Sequence, residues 1–121
     1  MKKKSFNIPI YDFYVTWIEI ESKDDKDKLL QEMSKFKCQK EDMEDVINGV
    51  ESGCINGGST FRNMDLKKFL VIIHPCENES MRRNIVNHEK RHIEDRLLKF
   101  VGVDDIEASA YLAGYLSRFI Y

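Results

Sequence analysis

Residues 77–102 read ENESMRRNIVNHEKRHIEDRLLKFVG, and no other stretch of the chain sustains helical periodicity for so long. Val86, Ile93, Leu97 and Phe100 fall on one narrow arc at ~100° per residue, the expected core stripe of an amphipathic helix. Gly102 supplies a left-handed stop. The following residues, DDIEASAYLAGYLSRFIY (104–121), form a second helix after a very short turn, so the last two helices should pack side by side.

Upstream, INGGSTFRNMDLKKFLVIIHP (55–75) divides into a Gly-rich approach to the strand STFR, a polar turn at NMD and the strongly apolar strand KKFLVII. This predicts a β-hairpin. IYDFYVTWIEI (10–20) is aromatic and β-branched with rough alternation, as in a half-buried strand, and Pro9 stands at its edge. SKDDKDKLLQEMSKF (22–36) carries Leu29, Leu30, Met33 and Phe36 at helical spacing behind an acidic first turn. KEDMEDVINGVESG (40–53) presents Met43, Val46, Ile47 and Val50 and stops near Gly53, with Asn48-Gly49 as a rival turn. The opening MKKK reads as a frayed tail. The expected order is β-α-α-β-β-α-α: one α+β domain over 1–121, its short sheet (a strand plus a hairpin) packed on the long helix and the C-terminal helix.

Composition narrows the function classes. A chain of 121 residues buries one modest core. A formal net charge of −2 gives no field that would favour nucleic acid or an anionic lipid surface. Cys38, Cys54 and Cys76 form no CxxC pair and leave an odd thiol, which suits free, buried cysteines in a reducing compartment. The basic start is not followed by a continuous apolar run, since Asn7, Pro9 and Asp12 interrupt it, and no stretch approaches the ~20 apolar residues of a membrane span. The expectation is a cytoplasmic protein with neither nucleic acid nor membrane as partner.

Within the long helix, His88-Glu89-x-x-His92 is the pattern that carries chemistry. Positions i and i+4 lie about 40° apart around a helix axis, so both imidazoles point the same way and can grip one ion. Glu89, about 100° round, is too far to be an easy ligand and well placed to touch a water held on that ion. Two neutral nitrogen ligands for Zn²⁺ with a carboxylate general base is the logic of this spacing. The rival is a solvated helix face on which Lys90, Arg91, Glu94 and Asp95 exchange ion pairs. Two histidines at the metal spacing, with glutamate in the required slot, favour the metal. Met81 and Ile85 accompany the histidines, as on a helix that floors a cleft.

Catalytic Zn²⁺ sites take three protein ligands and leave one position open. Glu107, at the start of the closing helix, is the favoured third ligand. It also completes a capping box with Asp104, and Asp104 and Asp105 are rival oxygen ligands. Other groups carry less. His74-Pro75-Cys76 offers soft ligands or an oxyanion stabiliser but reads more simply as strand-end packing. Tyr111, Tyr115 and Arg118 are possible donors to a tetrahedral intermediate, and GGSTFR is a possible edge for an extended peptide.

IVNHEKRHIEDRLLKFVGVDDIEASAYLAGYLSRFI (85–120) resembles the small zincin-like metallopeptidases of bacteriophages and related mobile elements. Their pattern is HExxH, a short helix remainder, then a glutamate in an E-A-x-A-Y-type segment, which is EASAY (107–111) in this chain. The resemblance is specific over 88–115 and looser upstream. It implies a gluzincin-type arrangement with His88, His92 and Glu107 as zinc ligands, Glu89 as base, and peptide or protein as substrate. Tyr111, in the same segment, joins Glu89 as a catalytic candidate. Lys90 and Arg91 depart from the family, whose peptidase motifs carry uncharged residues there. The rival function is a non-catalytic structural or interaction protein of a phage or mobile element on the same fold.

Overall fold

Phe69–Ile73 leave almost nothing in water on either side, and this double burial organises the chain. In the computed structural model, which describes residues 1–9, 11–102 and 106–120, they belong to β4 (Lys68–Ile73). This strand pairs in parallel with β2 (Phe13–Glu19) and antiparallel with β3 (Gly58–Asn63). A further strand, β1 (Lys2–Ile8), runs antiparallel along the other side of β2, giving the order β1-β2-β4-β3. The protein is α+β, with a mixed sheet between two helical layers.

Alternation along the central strands assigns the layers. Phe13, Val15, Trp17, Phe69, Val71 and Ile73 share one core with α3 (Glu79–Val101) and α4 (Ile106–Ile120). Ile18, Ile20, Leu70 and Ile72 share a second core with α1 (Lys26–Phe36) and α2 (Lys40–Glu51). A strand buried on both faces reads as a continuous apolar run, as KKFLVII does. Ser22 caps a short 3-10 turn over Lys23–Asp25 that leads into α1. The Asn78 side chain accepts from Met81 N at 2.8 Å to start α3, and Gly102, at φ 75°, ends it.

Several expectations change. The first residues are not a frayed tail: Lys2–Ile8 is an edge strand whose Phe6 and Ile8 are buried. Lysines, the reason it reads as a tail, are a common protection of sheet edges. The strand expected over 10–20 begins only at Phe13, because Asp12 turns the chain at φ 55° and its N–H donates to Ile8 O at 2.8 Å. Asn48-Gly49 continues α2 rather than turning. The sheet is covered on both faces, not only by the last two helices. In the core stripe of α3, Val86, Ile93 and Leu97 are fully buried, but Phe100 is 51% exposed and meets Phe13 edge-on with ring centroids 5.5 Å apart. Asp104 and Asp105 lie outside the described residues, and no described helix is long and apolar enough to cross a membrane.

Phe6 stacks on Phe119 with centroids 4.5 Å apart and so ties β1 to α4. Phe6→Ala should cost about 3–5 kcal/mol of stability in urea denaturation. A frayed tail would show less than about 0.5 kcal/mol, and that result would remove β1 from the sheet.

Candidate metal centre

Turning Val86, Ile93 and Leu97 into the core fixes how the rest of α3 faces. His88 becomes exposed and His92 half-buried. Their rings stand nearly perpendicular, at 89° with centroids 4.7 Å apart, and the two Nε2 atoms are 3.1 Å apart. Two nitrogens bound to one tetrahedral Zn²⁺ at 2.0–2.1 Å would lie roughly 3.3–3.4 Å apart. The observed separation therefore accommodates one small ion with little movement. The same contact serves as a hydrogen bond when one ring carries its hydrogen on Nε2.

Glu89 points inward rather than onto the charged face. It is 3% exposed, lodged between α3 and β3. The Thr60 hydroxyl lies 3.4 Å from Glu89 Oε2 and the same distance from the Glu89 backbone oxygen, donating into both. Gly58 makes room for this approach: a Cβ there would come within 2.9 Å of Glu89 Cγ and 3.0 Å of Ile85 Cγ2. His88, Glu89 and His92 each offer a ligand atom within 4.8 Å of the other two, and this group can hold a metal ion. The carboxylate, buried and tethered to β3, is oriented by the sheet while the imidazoles are oriented by the helix alone. Sequence reading passes over Gly58 and Thr60 as partners of Glu89, although a glycine inside a strand is a known sign of close approach.

The remaining candidates separate from this group. Glu107 is exposed in the first turn of α4 and is not part of it. Tyr111 is 67% exposed. Tyr115 donates its hydroxyl to Asn7 O at 2.7 Å, and the Arg118 guanidinium lies 5.8 Å from the Tyr115 ring centre. The Tyr115 hydroxyl fastens α4 to the end of β1, while the Arg118 contact stays within α4. His74 is buried at the end of β4, its ring flanked by Gly49 and Gly57, and burial lowers its pKa toward the neutral form. Of the thiols, Cys54 is exposed rather than buried. Cys38 is half-buried, and burial, helped by nearby Asp42, pushes it up to about 11.

Structure also accounts for the charged residues inside the motif. Lys90 donates to Ser117 Oγ at 3.1 Å and lies 3.7 Å from buried Glu94, so it joins α3 to α4. Burial, the leading influence on Glu94, raises its pKa against the pull of Lys90 and Arg91. Arg91 stays outside and pairs with Asp95 at 3.2 Å. The solvated-face reading therefore holds for Arg91 and Asp95 and fails for Lys90 and Glu94.

Beside the site, β3 ends the sheet order, so its outer edge has no strand partner among the described residues. Two cavities flank it. One, of about 460 Å³, is lined by Thr60, Arg62 and Asn63 with Lys37 and Arg96. The other, of about 400 Å³, is lined by Gly57, Gly58 and Ser59 with Asp42 and His74. Neither lining includes His88 or His92.

No protein-family model matches the chain, and neither a curated protein nor a solved structure matches it significantly.

Gly58→Ala tests the contact between helix and strand. The added methyl would crowd Glu89 Cγ and Ile85 Cγ2, which are not flexible side-chain ends, as well as Ile73 Cδ1. Overpacking of this kind costs about 1–3 kcal/mol, measurable by chemical denaturation. An unchanged midpoint would mean that α3 does not sit this close to β3.

Proposed function

We propose that the protein is a zinc-dependent hydrolase of the zincin-like type, acting on peptide bonds. The observation that carries this reading is the pair of Nε2 atoms 3.1 Å apart with the buried Glu89 carboxylate beside them. His88 and His92 are the proposed ligands. Glu107 is the proposed third, as the carboxylate on the helix packed beside α3, in keeping with the resemblance of EASAY to the family segment. Zinc in such a site supplies Lewis acidity, acidifying water and polarising a carbonyl.

The protein's own residues do the rest. Glu89 accepts the proton of the attacking water and returns it to the departing amine. Its bond from Thr60 and its seat against Gly58 hold the carboxylate in one orientation, which limits the reorganisation that proton transfer requires. An extended substrate can pair with the open edge of β3 by main-chain hydrogen bonds, with the flanking cavities receiving side chains. Tyr111, on the exposed face of α4, is the proposed donor to the developing oxyanion.

One observation favours a second reading. Glu107 stands outside the close group, so the described residues bring two imidazoles together without an evident third ligand other than Glu89. A non-catalytic interaction protein of a phage or mobile element, with the metal as a staple, has no need of an open fourth position.

Metal analysis of protein purified without chelator should find about one Zn²⁺ per chain, absent from the His88→Ala/His92→Ala variant. Metal content unchanged by the double substitution would end the proposal. Glu89→Gln should keep zinc and lose peptide hydrolysis by about 10²-fold or more. Full zinc with no cleavage of a diverse peptide library by the wild type would instead select the second reading.

Glu107 has its own test. As third ligand, Glu107→Gln weakens zinc binding sharply and leaves the apo fold intact. Asp104→Ala serves as the control and should keep its zinc; removal of a helix cap there would cost about 1 kcal/mol. Equal zinc affinity in Glu107→Gln and wild type would exclude Glu107 from the ligand set.

A further inference from the structure

The open edge of β3 has unlike surroundings on its two sides. Gly58 and Thr60 stand against Glu89 of α3. Phe61 packs on the other core, the one shared with α1 and α2, and lines the cavity of about 400 Å³ on that side. From α2 the same cavity receives Asp42, Asp45, Val46 and Gly49, whose i, i+3, i+4, i+7 spacing is that of a single helix face.

Charge and burial define what this cavity can hold. Its lining has two carboxylates and no lysine or arginine. Neither Asp42, which is half-buried, nor Asp45 has an ion pair or hydrogen bond among the described residues. His74 lines the cavity from beyond the end of β4; it is 7% exposed, and neither ring nitrogen has a hydrogen-bond partner among the described residues. Nδ1 is sealed within the protein. Cε1 and Nε2 lie 3.4 and 3.7 Å from where a Cβ on Gly49 would stand, so glycine leaves that edge of the ring uncovered. Burial lowers the His74 pKa toward the neutral form, and a neutral imidazole can accept at Nε2. A metal ion fits poorly, because these residues do not bring three ligand atoms within 4.8 Å of one another as His88, Glu89 and His92 do. A longer cation fits better, its apolar stem lying along Val46 and Phe61.

We propose that this cavity is a specificity pocket for a lysine or arginine side chain of an extended peptide paired along β3. As a statement about substrate it rests on the peptidase reading above; as a statement about binding it needs only the open β3 edge. Asp42 and Asp45 neutralise the cation, and His74 Nε2 accepts one of its hydrogens. Gly58 lines the pocket and also stands against Glu89, so pocket and base sit at the same level of the strand. Side chains of a paired strand alternate between faces, which puts the selected residue within about two positions of the bond presented to Glu89. The other cavity on this edge mixes Lys37, Arg62 and Arg96 with Asp42 and Asp65 and selects neither sign of charge.

Fluorescein-labelled unstructured peptides that differ at one central residue (lysine, arginine, norleucine or glutamate) serve as probes. The full chain carrying Glu89→Gln holds them without turnover, and Glu89 is not part of the pocket lining. Fluorescence anisotropy should show the lysine and arginine peptides binding about tenfold or more tighter than the norleucine peptide, with glutamate weakest. That preference should shrink as salt rises. Adding Asp42→Asn/Asp45→Asn should bring the four affinities together, with circular dichroism confirming the fold. Asp24→Asn/Asp27→Asn removes the same charge outside the lining and should keep the preference. Equal binding of the lysine and norleucine peptides, no binding of any, or equal loss of preference in both paired variants overturns the pocket. Cleavage of the same peptides by the zinc-loaded wild type separates this inference from the hydrolase. Cleavage that ignores the central residue removes the pocket and keeps the hydrolase. Binding of basic peptides that depends on Asp42 and Asp45, without cleavage, keeps the pocket and removes the hydrolase.

Discussion

The burial of β4 on both faces is the constraint from which the remaining architecture follows. Phe69, Val71 and Ile73 turn one way, Leu70 and Ile72 the other, and each is at most 2% exposed. At about 1.5–3 kcal/mol for each large apolar side chain removed from water, leaving either face open would forfeit much of the stability a small domain has. Two helices are needed on each side. A parallel β2–β4 pair is the arrangement that suits this, since parallel strands are stable chiefly when both faces are covered.

The same sheet then builds the candidate site. Because β3 lies beside β4, its Gly58 and Thr60 come under α3, and the missing side chain at Gly58 brings helix and strand close enough to seat Glu89. The carboxylate that the sequence marks out only by its spacing becomes the most restrained group of the three. His88 and His92 need no such help, since one helical turn aligns them. The group joins a strand-held carboxylate to a helix-held pair of imidazoles, and its geometry depends on the helix–sheet contact rather than on α3 alone.

What could be read from the chain without its structure follows physical lines. The long helix, the β3–β4 hairpin and the His88/His92 pair rest on local periodicity, which needs no knowledge of partners. β1 was hidden because Lys2, Lys3 and Lys4 belong equally to a solvated tail and to a protected edge, and only pairing with β2 distinguishes them. The second helical layer was hidden because amphipathicity in α1 and α2 shows that a face is buried but not against which side of the sheet. Glu94 was read as one of the charges of a solvated face, and the burial of Glu89, singled out as the base, was not visible, because burial of a carboxylate depends on tertiary neighbours, here Lys90 in one case and Thr60 in the other. Glu107 is ambiguous for a further reason: a first-turn glutamate serves as helix cap or as ligand with the same spacing.

The parallel pairing of β2 with β4 also bears on how the chain reaches this structure. Every other strand contact joins neighbours in sequence: β1 with β2, and β3 with β4. The central pair instead joins segments separated by α1, α2 and β3, so its closure fixes a long intervening loop before the buried faces repay that loss of entropy. Folding speed is governed by such non-local contacts. The two hairpins are the pieces closed by short connections, and the β2–β4 seam is the non-local contact on which both cores depend.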